Sequence, residues 1–393
     1  MNKQVHRRLW AGIAMLVLMG EILTACATPA TPQVIRETVE VAVTKEVKVE
    51  VTKEVAKVVE VTSTPGPIKI PKVALIMSGK RDDQSFNQFM ADSVQRLADQ
   101  GKIEASFAED VTPADFERVA GDYASQQYDL IIGHTSDFSE AALKVAADYP
   151  DVNFAITGAT QFLPNLAGLN NWTHDASAVA GYLSALLTQS KTVGIVGAFA
   201  YPTQFVAHEG FKYGVFRANQ EAVKADPKAK QVHCLETFTN TWFDTALGFE
   251  AAKAQMDQGA DYIYITASGA GFGVIQAAEE TKKAHVIGSF VDMNPFAPDV
   301  VVTSVERVAD APLEAVLDDI RSGRFTGKDY AFDFKNGGTA LAPYHNFDSL
   351  IPQDVKDKVQ AFEDGIKSGA ILVPFVTAKQ GGETGCEAPL PQG

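Results

Sequence analysis

The segment Lys72-Val-Ala-Leu-Ile-Met77-Ser-Gly-Lys-Arg-Asp-Asp-Gln-Ser-Phe86-Asn-Gln-Phe-Met90 decides the fold. Its first six residues form a short apolar run of the kind that is buried in a parallel sheet. The polar residues that follow include a glycine and predict a loop. From Gln84 to about Asp99, apolar residues recur at helical spacing and predict an amphipathic helix. A strand, a polar loop and a helix begin a βαβ unit, and in open α/β sheets ligands bind in such loops, outside the carboxyl ends of the strands.

The same unit repeats along the chain. Strands are predicted at 72–77, 103–107, 129–133, 153–157, 192–197, 231–236, 261–266 and 285–290, with helical patterns between them. This alternation predicts parallel sheets covered on both faces, and the length of the run favours two doubly wound lobes over a single sheet. An eight-fold barrel would show a similar rhythm. The uneven strand spacing and two apparent bridging strands, Leu166–Trp172 and Val300–Ser304, favour two lobes instead.

The chain is therefore expected to have five parts, namely two lobes and a tail, preceded by a signal peptide and a stalk. Residues 68–174 plus about 307–328 form lobe 1, and residues 175–306 plus about 329–378 form lobe 2, joined by a hinge with a ligand cleft between them. The stretch 327–343 is Gly-rich and is expected to be irregular. Residues 379–393 are expected to be a flexible tail.

The N-terminus predicts export and lipid attachment. Residues 1–25 have a basic head and a short apolar core, as in a bacterial signal peptide. Leu23-Thr-Ala-Cys26 then resembles the lipobox of lipoproteins, in which Cys26 becomes the lipidated first residue. The alternatives are an ordinary signal peptide or an anchor helix with a chance cysteine.

Residues 26–67 are predicted to be a stalk. Val-Thr-Lys-Glu-Val occurs at 43–47 and again at 51–55, within a run that alternates valine and charge. The alternation suits a β-zipper or a coiled coil that would oligomerise the protein. Without larger apolar side chains such a segment buries little surface, so a mobile or locally ordered spacer is expected.

Charge and cysteine content exclude several classes of partner. The formal net charge of −15 opposes binding to nucleic acid or to an anionic membrane face. Export permits a disulfide between Cys234 and Cys386, but the sequence equally allows two free thiols. No His/Cys cluster has the spacing of a zinc site, and no cofactor is expected.

Candidate ligand residues lie at the ends of strands from both lobes. Aromatic rings stack on planar ligands, and carboxylate and amide groups hold diols, so the inventory fits a base plus ribose, a sugar or another small polar ring. The candidates are Asp83, Ser85, Phe86, Asn87, His134, Asp137, Trp172, Phe199, Tyr201, Trp242, Ser268, Gly269 and Asp292.

Structural roles compete with ligand binding at several of these positions. Asp83 could cap the helix, and Phe86 could belong to the core. Trp172 and Trp242 could be packing residues. His134 has no serine or cysteine partner at a known motif spacing, which favours a polar loop residue over a catalytic base.

Asp244 and the segment 268–273 also lie in loops at strand ends. Asp244 is predicted to cap the following helix. Ser268-Gly-Ala-Gly-Phe-Gly273 follows a strand, but Val274 stands where a dinucleotide fingerprint needs its third glycine, and the Gly-Lys-Ser/Thr of a P-loop is missing. We expect these glycines to let backbone N–H groups approach a ligand closely.

Several segments in this order and spacing carry a family resemblance. They are Asp83-Gln-Ser-Phe-Asn-Gln88, Ala147–Phe154, Ala180–Leu183, Lys191–Gly197, Gly259–Asp261, Ala267–Gly271 and Val286–Gly288. Together they make Lys72 to Val376 resemble the basic membrane protein (BMP) family of bacterial lipoproteins, whose members include purine nucleoside receptors of ABC importers.

The resemblance implies a type I periplasmic-binding fold with three crossovers. It implies that Phe86 stacks on a base, that Asp83 and Asn87 line the first-lobe side, and that a second-lobe aromatic covers the other face; Phe199, Tyr201 and Trp242 are the candidates. Nucleoside-binding relatives carry a ribose-binding aspartate where this chain has Phe290. The nearest carboxylate here is Asp292, so the chain departs from the family at the ribose-binding position.

The expected function is a lipid-anchored receptor on the extracytoplasmic face of the cell membrane. It would act as a monomeric binding domain that captures a small ligand, a purine nucleoside first, and presents it to the permease subunits of an ABC transporter. The alternatives are a surface receptor or sensor for a sugar or another polar metabolite, and a nucleoside or sugar hydrolase. A hydrolase needs a supported general base or a metal cluster, and neither is found. The lipobox and the lack of a helix-turn-helix oppose a transcriptional repressor.

Overall fold

The computed structural model describes residues 69–378 and 386–387, all of which belong to the unit Pro65–Gly393. The predicted signal peptide, the lipidation site Cys26, the predicted stalk and most of the predicted tail lie outside the described residues.

Strands and helices alternate along the described chain, as the repeated pattern predicts. The first ten are β1 (Lys72–Met77), α1 (Phe86–Asp99), β2 (Glu104–Ala108), α2 (Pro113–Ser125), β3 (Leu130–His134), α3 (Ser139–Asp148), β4 (Asn153–Ile156), β5 (Leu166–Asn171), α4 (His174–Leu187) and β6 (Thr192–Gly197). They are followed by α5 (Pro202–Ala225), β7 (His233–Phe238), α6 (Thr245–Asp257), β8 (Tyr262–Thr266), α7 (Gly271–Thr281), β9 (His285–Phe290) and β10 (Val301–Arg307). The remaining elements are α8 (Asp310–Arg321), β11 (Asp329–Phe332), β12 (Thr339–Leu341) and α9 (Gln353–Lys367).

Each lobe is built on a six-stranded sheet. The first sheet has the order β11-β5-β4-β3-β1-β2 and is parallel throughout. The second has the order β12-β10-β9-β8-β6-β7 and is parallel except for the antiparallel pair of β10 and β12. Every residue of β1 after Lys72 is buried, as expected for a sheet covered by helices on both faces. The predicted architecture of two doubly wound lobes is confirmed.

The chain passes between the lobes three times. The crossings lie between β5 and α4, between β10 and α8, and between β11 and β12. These crossings bring the carboxyl ends of the strands of both sheets to face one another across a cleft, which is where a ligand site is expected.

The boundary between the lobes that was expected between residues 328 and 329 lies later in the chain. Residues 327–343, expected to be irregular, contain two strands, and the first of them, Asp329–Phe332, pairs with β5 in the first sheet. The return to the second lobe therefore follows Phe332. Strands of four and three residues beside Gly337 and Gly338 carry too little alternation to be seen in sequence.

A disulfide joins Cys234 of β7 to Cys386, with their Cα atoms 5.8 Å apart. Cys386 is 1% exposed, and its carbonyl oxygen accepts a hydrogen bond of 2.6 Å from Asn219 Nδ2. Of the two alternatives left open by the sequence, the structure shows the disulfide. The expectation of a flexible tail is wrong at 386–387, because this bond and the side chain of Asn219 hold Cys386 against the second lobe.

Candidate functional site

A cavity of about 190 Å³ lies between the lobes. It is bounded by loops that follow strands of both sheets. Its lining residues are Ser78, Phe86, Asn87, Thr135, Ser136, Asp137, Thr157, Gly158, Tyr201, Thr203, Gln204, Trp242, Phe243, Ser268, Phe290 and Arg307.

The sequence-derived candidates divide into two groups. The residues that line the cavity are Phe86, Asn87, Asp137, Tyr201, Trp242 and Ser268. The residues that lie outside its lining are Asp83, Ser85, His134, Trp172, Phe199, Gly269 and Asp292. Ligand contacts of both groups stay predictions, and the second group lies outside the cavity lining.

Phe86, the first residue of α1, forms a flat wall on the first lobe. Its ring stacks on the imidazole of His134, with centroids 4.1 Å apart and 11° between the planes. His134 is fully buried, and its Nε2 lies 2.8 Å from the carbonyl oxygen of Phe86 while its Nδ1 lies 2.9 Å from Thr157 Oγ1. Because a carbonyl oxygen only accepts, Nε2 carries the proton and Nδ1 accepts from the hydroxyl. His134 thus supports Phe86 from behind.

Burial lowers the pKa of His134 to about 3, so the imidazole is neutral at physiological pH. The expectation of a polar loop residue at this position is wrong, since His134 is the last residue of β3. Its side chain is enclosed because Phe86 and Phe89 of α1 cover it, with Phe89 edge-on at 5.1 Å.

Asp83 caps the start of α1. Its carboxylate accepts hydrogen bonds from the backbone N–H groups of Ser85, Asn87 and Gln88 at 2.9–3.0 Å. It also accepts from Asn87 Nδ2 at 2.9 Å, which fixes the orientation of that amide because a carboxylate cannot donate. Asp83 therefore acts as a helix cap. It affects the cavity by fixing the side chain of Asn87.

Asn87 lines the cavity, and its side-chain acceptor is buried. It is 2% exposed, and its Oδ1 has no hydrogen-bond partner in the structure. A buried carbonyl without a partner costs free energy, on the order of 1–3 kcal/mol.

Tyr201 and Trp242 form the facing wall on the second lobe. Tyr201 precedes α5 and is 43% exposed, and its ring centroid lies 6.2 Å from that of Trp242. Phe199 packs against both rings, at 5.3 Å from Tyr201 and 5.4 Å from Trp242. Of the three candidates for the second-lobe aromatic, Tyr201 and Trp242 line the cavity and Phe199 supports them.

A buried hydrogen bond joins the lobes beside the cavity. The Oγ atoms of Ser85 and Ser268 are 3.1 Å apart, so the cleft is closed in this structure. Gly269 lies against the loop of the second-lobe wall, where a Cβ atom would come within 3.2 Å of Phe243 Cδ1. The expected close approach of Gly269 to a ligand is replaced by close packing within the lobe.

Two residues outside the predicted set complete the cavity where the lobes meet. Phe290 ends β9 with a φ of 72°, which is uncommon for a bulky residue, and its ring meets Phe86 edge-on at 5.9 Å. Arg307 ends β10, and its Cζ lies 4.6 Å from the centroid of the Phe290 ring, a cation–π contact. Arg307 was missed because the predicted strand stopped at Ser304, three residues before the end of β10.

Trp172 and Asp292 have structural partners away from the cavity. Trp172 lies in the first crossing, where its N–H donates to the carbonyl of Phe332 at 2.7 Å and its ring meets Phe375 edge-on at 5.0 Å. Asp292 pairs with His345 Nε2 at 2.6 Å. Trp172 thus packs within a crossing and Asp292 is hydrogen-bonded to His345, and the ligand roles of both residues stay predictions. Asp137 is exposed at the rim of the cavity.

Two doubly wound lobes, three crossings and an aromatic-walled cavity between them define a two-lobed solute-binding protein of the periplasmic-binding type. Residues 70–374 match the family described as "ABC transporter substrate-binding protein PnrA-like" (Bmp), and the chain belongs to this family. It is therefore a solute-binding protein of an ABC transporter and not an enzyme. The family predicted from the sequence is confirmed.

The chain has relatives among named proteins and solved structures. It is 29% identical over 314 residues to a protein of Brucella abortus (strain 2308) named "Purine-binding protein", covering 77% of this chain and 83% of the relative. It is 24% identical to "Basic membrane protein A" of Borreliella afzelii, covering 78% of this chain and 92% of the relative. A solved ABC transporter solute-binding protein from Conexibacter woesei DSM 14684 is 28% identical, with a TM-score of 0.64 and coverage of 78% of this chain and 99% of that chain. Within the described part of this chain, the helices are all too short or too polar to cross a membrane.

Proposed function

We propose that this solute-binding protein captures a purine between Phe86 on one lobe and Tyr201 and Trp242 on the other. The observation that carries the proposal is the presence of aromatic side chains from both lobes around one cavity. A planar heteroaromatic ring gains stacking contacts from both walls. The name of the Brucella relative, at 29% identity, supports the same ligand class.

The size of the cavity favours a free purine base over the nucleoside that the resemblance implies. Its volume of about 190 Å³ is below the range of about 300–1,000 Å³ typical of pockets for drug-sized ligands. The resemblance also implies an aspartate for the ribose hydroxyl groups, but Phe290 stands at that position, and Asp137, the carboxylate that lines the cavity, lies exposed at its rim. Asp292 is paired with His345 instead.

Binding would favour closure because the ligand contacts both lobes. In the closed form, the hydrogen bond between Ser85 and Ser268 joins the lobes at the edge of the cavity. A ligand that touches both walls binds this form better than an open one and shifts the population toward it. The closed form is then the one presented to the permease subunits of the importer.

We also propose that lipidation of Cys26 holds the protein on the extracytoplasmic face of the membrane. The basis is the order of basic head, apolar core and Leu-Thr-Ala-Cys in the sequence. Acyl chains on Cys26 would anchor the protein without a membrane-spanning helix. Metabolic labelling with a radioactive fatty acid tests this, because a Cys26→Ala variant should take up no label.

Calorimetric titration of the full-length protein with purine bases, purine nucleosides and sugars tests the ligand class. A purine base is expected to bind, and Phe86→Ala is expected to weaken binding by about 5- to 150-fold, since stacking of one base is worth about 1–3 kcal/mol. Phe296→Ala is the matched control, because Phe296 is 41% exposed and does not line the cavity. Binding of a sugar but of no purine would refute the proposal. Tighter binding of nucleosides than of bases would refute the preference for the free base.

A further inference from the structure

Arg307 is the positively charged residue among those that line the cavity. It ends β10 in the second lobe, and its Cζ lies 5.9 Å from the ring centroids of Phe86 and Phe89 in the first lobe. Its closest aromatic neighbour is Phe290, at 4.6 Å. The guanidinium therefore sits at the meeting of the two lobes, held by aromatic rings on several sides.

The guanidinium of Arg307 makes no hydrogen bond and no ion pair with the residues at 69–378 and 386–387. Arg96 is a contrast, because its guanidinium pairs with Asp310 at 2.6 Å. Burial lowers the pKa of Arg307 to about 10, so the group still carries its charge at neutral pH. Aromatic faces attract the cation but offer no hydrogen-bond acceptor to its N–H groups.

A guanidinium has only donors, arranged in a planar fork that matches two adjacent acceptors. Among purines, guanine and hypoxanthine present such a pair, O6 and N7, along one edge. Adenine has a donor, the N6 amino group, in place of O6, and that group would face the N–H donors of Arg307.

We propose that Arg307 makes this receptor selective for 6-oxopurines over 6-aminopurines by donating to the O6 and N7 edge of the base. The inference rests on the proposed function, since it concerns the orientation of a purine in the same cavity. Phe290 has a supporting role, because its ring lies against the guanidinium and limits the positions that the guanidinium can take.

Calorimetric titration of the full-length protein with hypoxanthine and adenine tests the selectivity. The unmodified protein is expected to bind hypoxanthine about 10- to 100-fold more tightly, the discrimination typical of one bidentate arginine contact. Arg307→Met keeps an apolar side chain over Phe290 and removes every donor. It is expected to weaken hypoxanthine binding by a similar factor and to change adenine binding by less than about 3-fold. Arg96→Met is the matched control and should leave both affinities unchanged.

A second measurement needs no variant. Replacing N7 by carbon, in 7-deazaguanine, removes one acceptor of the pair and should weaken binding to the unmodified protein relative to guanine by about 10-fold. Equal affinity for hypoxanthine and adenine, or equal loss of both in Arg307→Met, would overturn the inference while purine binding stands. Binding of no purine at all by the unmodified protein would instead overturn the proposed function and this inference with it.

Discussion

Acid should weaken the fold through His134, the residue that supports Phe86. The folded-state pKa of His134 is about 3, against an ordinary value of 6.5, because burial disfavours the charged imidazole. Below pH 6.5 the unfolded chain binds a proton at His134 and the folded chain does not, so the free energy of unfolding falls as the pH falls. The window of loss therefore runs from about pH 6.5 down to about pH 3, and the stabilising effect is fully present above it.

The magnitude follows from the width of that window. At pH 5.0 the solution is about 1.5 pH units below the unfolded-state pKa of His134. Lowering the pH from 7.5 to 5.0 therefore stabilises the unfolded form by about 2 kcal/mol through protonation of His134. Other buried histidines, such as His208, also have lowered pKa values and contribute to the acid sensitivity of the whole protein. A His134→Gln variant keeps those groups and removes only the contribution of His134.

Urea unfolding at pH 7.5 and pH 5.0 measures the effect. The free energy of unfolding of the unmodified protein is expected to fall between these pH values by about 2 kcal/mol more than that of His134→Gln. In a proton NMR titration, the His134 ring resonances should stay unchanged down to about pH 4, given a folded-state pKa of about 3. Equal acid sensitivity of the two proteins, or a titration midpoint near 6.5, would refute the reasoning.

Two further predictions concern the helix start beside the cavity and the disulfide. Asp83→Ala should lower the free energy of unfolding by about 0.5–2 kcal/mol and also weaken purine binding, because the amide of Asn87 loses its anchor. Thr112→Ala, which removes the cap of α2 at a residue outside the cavity lining, should lower stability similarly and leave affinity unchanged, and unchanged affinity in both variants would contradict this role of Asp83. Cys386→Ser should lower the free energy of unfolding by about 2–5 kcal/mol, because the disulfide closes a loop spanning 152 residues. Urea unfolding with and without reductant checks this, and equal midpoints for the oxidised and reduced protein would speak against it.

The buried strands could be predicted closely from the sequence. The bounds predicted for β1, β6 and β9 agree with the structure, because strands buried on both faces have nearly continuous apolar sequences. Helix α5 begins at Pro202, where proline suits the first helical turn. Strands β11 and β12 are edge strands of four and three residues, and their sequence is too short to show a period.

The loops that carry the site could be predicted, but the direction of each side chain could not. Phe86 and His134 were both candidates because both follow a strand, yet only the packing of α1 over β3 decides which ring faces the cavity. Asp83 shows the same limit, since a carboxylate ahead of a helix suits either a cap or a ligand. The position of Arg307 at the cavity could be predicted only if the end of β10 were known, and strand ends are set by pairing with neighbouring strands.

Arg307 also links the proposed selectivity to closure of the cleft. In the closed form its charge is surrounded by Phe86 and Phe89 of one lobe and Phe290 of the other, and the part of the chain that the structure describes offers it no acceptor. A partly desolvated charge of this kind disfavours closure in the absence of ligand. A bound 6-oxopurine would supply the acceptors and remove that cost only when the lobes have met. Its affinity for the closed form would then exceed its affinity for the open form, which is the condition for a ligand to shift the equilibrium between them. Adenine would fill the same cavity without removing the cost, so the residue that selects the base would also make closure depend on the selected base.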